Sequence, residues 1–408
     1  MSDTPSYGLH RREFLLTSAA ATLGLAGATP AEAAAEAPRI RAYRPLGRTG
    51  LKISDISFGS SKLSSGPELV REALDLGVNY FDTAESYRGG SSEETIGKAL
   101  GADRKRVFVA SKTHCDADST VPQLMQALEA SLKRLRTDHV DVYFNHAVND
   151  VKRLQNPAWG EFVERAKKQG KLRYTGLSGH GGRLSECLEY ALEHDLVDVL
   201  LVAYNFGQDP AFYQRFTASF DFVAMQPELP KLIARAKTKG VGVVAMKTLM
   251  GGRLNDLRAF EKDGTFAQAA FRWVLSNPDV DALVVSITNS GELREYVSAS
   301  GQGAVRTSDL ELLGRYVARN GAEFCQIGCG ICLPACPENV PINDVLRARM
   351  YAVDYGDPAL GRAEYAALGE PASACADCQH RACLGACPNG LDIAALTGQA
   401  HALLGPRA

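Results

Sequence analysis

Gly77-Val78-Asn79-Tyr80-Phe81-Asp82-Thr83-Ala84-Glu85-Ser86-Tyr87 reads as a short strand, Asn79 to Asp82, that runs into a polar end. A helical period over Pro67 to Leu76 comes just before it. This helix-then-strand order is the repeating unit of a parallel sheet with crossover helices. The unit recurs from Tyr43 to about Ser300, with further strands expected at Ile53 to Phe58, Val107 to Lys112, Val140 to His146, Tyr174 to Ser178, Asp198 to Tyr204, Val241 to Lys247 and Ala282 to Ser286. Helices are expected at Val121 to Leu135, Gly160 to Gln169, Leu184 to His194, Glu228 to Lys239 and Phe266 to Asn277. Eight strands with helices between them predict an α/β fold, a (β/α)8 TIM barrel over residues 41–300, with a hairpin from Tyr43 to Lys52 under its floor.

Composition bounds the function classes. The 408 residues are 45% hydrophobic, enough for one large core and a smaller module beside it. A net charge of -2 gives no basic field for nucleic acid. No uninterrupted apolar run reaches the length that spans a bilayer.

Barrel chemistry sits where strands end at their C-terminal edge, so the polar residues there are the ones to inspect. Strand two ends in Asp82 and leads to Tyr87, strand three ends at Lys112-Thr113, and strand four ends at Asn145-His146. Here the sequence resembles the aldo-keto reductase superfamily, through Gly77 to Tyr87, a strand-end Lys and a strand-end His in that order. The likeness covers roughly Tyr43 to Ser300 and implies a hydride-transferring oxidoreductase with Asp82, Tyr87, Lys112 and His146 as its catalytic residues. The chemistry fits that implication. A carbonyl that accepts hydride needs a proton, and Tyr87 can supply one only if its pKa of about 10 is brought down. Lys112 would lower it, Asp82 would hold Lys112 charged and aimed, and His146 would hydrogen-bond the substrate oxygen. Each residue alone has a bland reading as well: a buried Asp-Lys pair, a rim tyrosine, a satisfied histidine.

The resemblance also implies a bound NADP or NAD. Carried over by position, Ser178 would touch the nicotinamide amide, Tyr204 and Asn205 would close strand six nearby, and Met246, Lys247 and Leu249 would line the pyrophosphate path. Thr288 belongs to the adenosine-end loop, and Glu295 would face the adenine. Leu201 and Met246 depart from the pattern, since many relatives carry a carboxamide and an aromatic there. Glu292 would repel a 2′-phosphate, which leaves NAD and NADP both open. The aromatic stretch Phe206 to Pro227 is expected to build a pocket wall or lid, or to pack on the C-terminal part, and Gly251-Gly252 reads as a turn.

Beyond the linker Gly301 to Thr307, Ser308 is expected to cap a helix, Asp309 to Arg319, that docks a second unit over residues 308–408. Two cysteine runs dominate that unit: Cys325, Cys329, Cys332 and Cys336 before Pro337, and Cys375, Cys378, Cys383 and Cys387 before Pro388. They match the bacterial ferredoxin arrangement, in which three close thiolates serve one 4Fe-4S cluster and the fourth crosses to the other. By that rule Cys325, Cys329, Cys332 and Cys387 would hold one cluster, and Cys375, Cys378, Cys383 and Cys336 the other. The spacings are three, two, three and two, four, three residues, where the usual run has two, two, three, so Cys325 and Cys383 are the least secure ligands. Structural zinc and disulfides are the alternatives. Helices at Val345 to Met350 and Ala363 to Leu368 make this a small, mostly helical, ferredoxin-like 4Fe-4S dicluster module. It suggests the ferredoxin-fused branch of the superfamily. Cys115 and Cys187 read as ordinary small residues of the core or the pocket rim.

Residues 1–37 read as an address. His10-Arg11-Arg12-Glu13-Phe14-Leu15-Leu16, a weakly apolar run to Ala28, and Ala31-Glu32-Ala33 resemble a twin-arginine export signal and cleavage site, which implies a periplasmic or otherwise exported protein handled by the twin-arginine machinery. That route fits thiolate-ligated iron installed in a reducing cytosol before export. The expected function is therefore an exported oxidoreductase acting on a small carbonyl or sugar substrate, with an external electron carrier as a further partner. The alternatives are a cluster-based electron-transfer protein, or a regulatory subunit that uses its barrel as a docking platform. No flavin fingerprint joins two-electron hydride chemistry to one-electron clusters.

Overall fold

Strands β1, Tyr43–Pro45, and β2, Lys52–Ser54, pair antiparallel as a hairpin. Eight parallel strands follow: β3 Ile56–Gly59, β4 Tyr80–Asp82, β5 Phe108–Thr113, β6 Val140–Asn145, β7 Leu172–Gly179, β8 Val199–Ala203, β9 Gly242–Met246 and β10 Ala282–Ser286. Strand β10 pairs with both β9 and β3, which closes the barrel. The structure is a computed structural model that describes residues 37–208, 228–249, 257–320, 325, 330–353, 357–369, 371–388 and 390–406. The export-type segment, most of the aromatic stretch after Phe206, Gly251-Gly252 and Cys329 lie outside the described residues.

The strands are buried on both faces, as a parallel sheet covered by helices requires. In β6, Val140 and Tyr143 join the outer core under the helices, while Val142 and Phe144 fill the barrel interior. In β8, Leu200 and Val202 face outward and Val199 and Leu201 inward. Such alternation follows from the two-residue period of a strand. Leu46, Leu51 and Ile53 of the hairpin complete the interior from below.

One boundary differs from the sequence expectation. The segment Ile53 to Phe58 is not one strand: Lys52–Ser54 belongs to the hairpin, and the barrel strand starts at Ile56. Asp55 divides them. Its N–H donates to Ala42 O at 3.1 Å, and its carboxylate accepts from Ser300 Oγ at 2.6 Å and Gly301 N at 2.9 Å. A carboxylate committed to two donors on another segment takes the chain out of strand register there.

Helices Pro67–Asp75, Val121–Leu135, Pro157–Lys168, Leu184–Glu193, Leu229–Thr238 and Phe266–Leu275 lie in the chain between the strands, close to where sequence periodicity puts them. Capping boxes start two of them, Thr120 with Gln123 and Thr265 with Gln268. Helix Ser91–Leu100 was not expected from the sequence. Its buried face includes Ser92 and Glu93, which conceal the apolar period. Glu93 accepts from Ser111 Oγ and from Arg134 Nε, both at 2.6 Å, so its carboxylate is satisfied in the interior.

Helix Thr307–Asn320 packs on Phe266–Leu275. Leu312, Leu313 and Tyr316 are buried in it, and the Tyr316 and Phe266 rings stack at 4.3 Å. A fully buried pair joins the two helices, with Arg272 Nε donating to Asp309 Oδ2 at 2.8 Å. The helix begins at Thr307, so Ser308 lies inside it and does not cap it. The C-terminal unit has helices Ile342–Val353, Pro358–Ala367 and Ile393–Leu404 around a core that includes Val345, Leu346, Tyr365, Ile393 and Leu404. Pro38 to Ala408 forms one compact unit, in which Asn149 Nδ2, from the loop after β6, donates to Asp344 Oδ2 at 2.6 Å. No helix among the described residues is long and apolar enough to cross a membrane.

Candidate active site at the barrel mouth

Asp82 is the last residue of β4, Lys112 lies one residue before the end of β5, and His146 follows β6. Adjacent parallel strands bring these ends together, with Tyr87 reaching in from the turn Tyr87–Gly90. All four line one cleft. Lys112 Nζ donates to Asp82 Oδ1 at 2.6 Å, to Thr83 O at 2.6 Å and to Tyr87 Oη at 3.3 Å. The Tyr87 and His146 rings meet edge to face at 5.7 Å.

Gly77, which opens the motif, has a structural reason to be glycine. Its φ of +95° is left-handed, and a Cβ there would come within 2.8 Å of Tyr43 Oη, which donates to Gly77 O at 2.7 Å.

Burial dominates the electrostatics. It pushes the Asp82 carboxyl up and the Lys112 ammonium down, and their mutual attraction opposes both shifts. Burial first, then the Asp82 charge, pushes the Tyr87 phenol well above its usual value of 10.0. The sequence expectation that Lys112 lowers it is therefore not met: desolvation of tyrosinate outweighs one shared ammonium. Tyr87 is thereby held as a neutral phenol. Burial, helped by His114 and Lys112, holds His146 neutral and well below 6.5. His114, whose ring lies 4.8 Å from that of His146, is pushed down to about 4, chiefly by burial.

The residues expected at a nucleotide divide. Ser178, Lys247 and Thr288 line the same cleft, as do Met246, Leu249 and Glu292. Tyr204, Asn205 and Glu295 do not. The Tyr204 ring packs on Trp273 at 5.3 Å, and its hydroxyl accepts from Asn277 Nδ2 at 3.0 Å, so it serves the core. Asn205 Nδ2 donates to Lys247 O at 3.2 Å, which places it under the β9 loop. In helix Ser290–Val297, Glu292 and Tyr296, four residues apart, line the cleft, and Glu295 does not. Glu292 Oε2 accepts from Thr288 N at 2.8 Å and Oγ1 at 2.9 Å.

The sequence signals passed over several further lining residues, among them His180, Tyr351 and Glu364. His180 directly follows β7, and the strand-end rule that found His146 would have found it. Tyr351 and Glu364 come from the C-terminal unit, and nothing local in the sequence places them at a barrel mouth. Cys115 and Cys187 are buried in the outer core, and neither lines the cleft.

In the C-terminal unit, Cys336, Cys375, Cys378 and Cys383 line a second cavity together with Val340, Ile342 and Thr397. The last cysteine of the first run thus meets the first three of the second. Cys325, Cys332 and Cys387 pack at the unit's core. Among the described residues no group of three or more His, Cys, Asp or Glu side chains could hold a metal ion as placed.

A closed parallel barrel with a Tyr-Lys-Asp-His constellation at its C-terminal mouth is the framework of a barrel oxidoreductase. A profile of the aldo/keto reductase family matches residues 55–266, and the chain belongs to that family as an oxidoreductase. It is 27% identical to the L-galactose dehydrogenase of Arabidopsis thaliana, over 66% of this chain and 89% of that relative. It is 22% identical to the L-glyceraldehyde 3-phosphate reductase of Escherichia coli strain K12, over 68% of this chain and 92% of that one. Among solved structures it resembles a putative aldo-keto reductase from Pseudomonas aeruginosa at 26% identity and a TM-score of 0.52, over 66% of this chain and 98% of that one.

Proposed function

We propose that the protein reduces a small carbonyl compound with a nicotinamide nucleotide, or oxidises an alcohol or sugar hydroxyl in reverse, with Tyr87 as the acid and base. The observation that carries this reading is Tyr87 Oη held 3.3 Å from an ammonium that is itself locked to Asp82 in the cleft. In the reducing direction the neutral phenol gives its proton to the carbonyl oxygen, and Lys112 stabilises the tyrosinate left behind. His146, kept neutral, hydrogen-bonds the same oxygen. A small sugar or aldehyde substrate agrees with the names of the L-galactose dehydrogenase and the L-glyceraldehyde 3-phosphate reductase it resembles.

The cleft fits an extended nucleotide. Ser178 would meet the nicotinamide amide, Lys247 the pyrophosphate and Thr288 the adenosine end, and the bound nucleotide would supply the hydride. Thr248 Oγ1, buried in the cleft wall without a partner, is a polar atom awaiting such a ligand. Glu292 opposes a 2′-phosphate while Lys62 in the same cleft favours one, so NADP and NAD are both carried forward.

The cysteine cavity supports one 4Fe-4S cluster held by Cys336, Cys375, Cys378 and Cys383, and the ferredoxin-type pattern supports a second held by Cys325, Cys329, Cys332 and Cys387. Such clusters would carry single electrons, to or from an outside carrier. Export by the twin-arginine route, as the residues around Arg11-Arg12 suggest, would then move a folded and loaded protein.

Tyr87→Phe is the test. Hydride transfer to a carbonyl should fall by about 10² to 10⁴ while nucleotide binding persists. Full turnover in that variant would overturn the assignment.

A further inference from the structure

We infer that helix Pro358–Ala367 of the C-terminal unit sets the substrate class, with Glu364 as the specificity residue. Its carboxylate accepts hydroxyl groups next to the reacting carbon, so the substrate is a neutral polyhydroxylated carbonyl or alcohol and not a phosphorylated or carboxylated one. This rests on the oxidoreductase reading above and names the substrate class of that site.

Three side chains of the C-terminal unit line the catalytic cleft: Tyr351, Leu360 and Glu364. Leu360 and Glu364 are four residues apart on helix Pro358–Ala367, so one face of that helix looks into the cleft. Its buried residues are Gly361 and Tyr365, and Tyr365 belongs to the unit's own core. Gly361 sets the spacing. A Cβ there would lie 2.9 Å from Ala348 O and 3.0 Å from Ala352 Cβ, so a larger residue would push this helix off helix Ile342–Val353. The close approach puts Leu360 and Glu364 beside Tyr351, which that second helix carries. Helix Pro358–Ala367 also packs on the turn Tyr87–Gly90. The wall it forms therefore stands at the catalytic end of the cleft, next to Tyr87.

Glu364 is half-buried, and among the described residues its carboxylate makes no hydrogen bond and no ion pair. The other acids of the cleft are engaged: Asp82 is held by Lys112, and Glu292 accepts from Thr288. An ionised carboxylate is an acceptor only, with room for several donors. One that lines a cleft without a donor from its own chain is a place for hydroxyl groups. Burial pushes the Glu364 carboxyl up, while Lys247 and then Arg153 pull it back toward the charged form.

The surrounding charges choose among ligands. Lys62, Lys112 and Lys247 line the cleft with Asp82, Glu292 and Glu364. Three lysines oppose a cationic substrate. A nucleotide seated as proposed brings its phosphates to the lysines and leaves Glu364 as the charge that meets the substrate. An anionic group on that substrate would then face a carboxylate and the nucleotide's phosphates together. Neutral hydroxyls have no such conflict, and hydrogen bonds to an ionised acceptor are the stronger ones. Leu360 and the Tyr351 ring add apolar surface for the C–H faces between the hydroxyls, the mixture of apolar wall and few polar groups typical of small-molecule pockets.

The full-length, nucleotide-loaded protein should be assayed with glyceraldehyde, propanal and glyceraldehyde 3-phosphate, which share one carbon skeleton. Glu364→Leu should lower the glyceraldehyde-to-propanal ratio of kcat/KM by about 30-fold relative to wild type. Both proteins meet the same aldehydes, so differences in intrinsic reactivity cancel. Glu364→Gln, which keeps an acceptor and loses the charge, should raise the ratio of glyceraldehyde 3-phosphate to glyceraldehyde by about tenfold. Xylitol binding to nucleotide-loaded Tyr87→Phe, with and without Glu364→Leu, followed by ligand-detected NMR, needs no turnover. Binding that Glu364→Leu weakens by about tenfold supports the acceptor even if no aldehyde is reduced, an outcome that would sink only the catalytic reading. A change below about threefold in either kcat/KM ratio, or xylitol binding that Glu364→Leu leaves unaltered, overturns the assignment.

Discussion

Lys247, just beyond β9, donates from Nζ to the hydroxyl of Tyr351 in helix Ile342–Val353, and the same ammonium stands 4.3 Å from the Tyr351 ring centre. A barrel cation expected at a nucleotide is thereby held by a residue 104 positions further along the chain. Lys247 also has φ +56°, a left-handed conformation unusual for a side chain of its size. Tyr351→Phe keeps the ring and removes the acceptor. It should cost about 1.5 kcal/mol of stability without nucleotide. With saturating nucleotide the difference should shrink as Lys247 turns to the phosphates. Denaturant unfolding with and without nucleotide checks this, and an equal loss in both states would refute the exchange of partners.

The buried pair Arg272 and Asp309 ties helix Thr307–Asn320 to the barrel. Breaking it with Asp309→Asn leaves a guanidinium with reduced compensation in the interior and should cost about 3 kcal/mol. Replacing both partners with apolar residues of similar volume should cost much less. Urea denaturation of the two variants distinguishes a charge left unpaired from simple loss of packing.

Acid should weaken the fold through its histidines. His146 and His180 sit well below the ordinary 6.5, and His114 falls to about 4. In the unfolded chain they gain protons as pH falls through about 6.5, while the folded state resists, so stability present above that pH is lost below it. Each costs about 1.4 kcal/mol per pH unit until its folded value is reached. Asp344, raised to about 6 by burial, works in the opposite sense. Its folded form takes up a proton before its unfolded form does, which offsets about one histidine between pH 6 and 5. Going from pH 7 to 5 should therefore lower the stability, and His114→Gln should flatten the slope. Melting temperature against pH is the measurement, and a flat profile over that range would contradict it.

The crossing of the two cysteine runs predicts how metal content responds to mutation. If Cys336 serves the cluster of the second run, Cys336→Ser and Cys378→Ser should each lower iron and sulfide from about eight to about four atoms per chain. Cys115→Ser, in the barrel core, should leave that content alone. Metal and sulfide analysis of protein purified without oxygen decides it, and an equal zinc content in place of iron would replace the cluster reading.

Much of the barrel was legible because its signals are local. Apolar runs such as Val140 to Phe144 carry their period in adjacent residues, and strand-end polar residues such as Asp82, Lys112 and His146 stand where those runs stop. The hairpin boundary was misplaced because Asp55 is held by Ser300 and Gly301, far along the chain. Helix Ser91–Leu100 was hidden because its buried face carries Glu93, whose partner Arg134 is in another helix. Glu295 is suggested at the nucleotide end by position alone, and the residues of its helix that line the cleft are Glu292 and Tyr296.

The sequence by itself determined the order of strands and helices, the barrel that order implies, and the side chains delivered to its mouth, because strand period and strand end are properties of neighbouring residues. Tertiary structure alone decided that Tyr87 is a high-pKa phenol and that His146 is neutral, since burial is created by residues distant in the chain. It alone also decided that Tyr351 and Glu364 of the C-terminal unit line the cleft, because no local pattern encodes which surface a folded unit will meet.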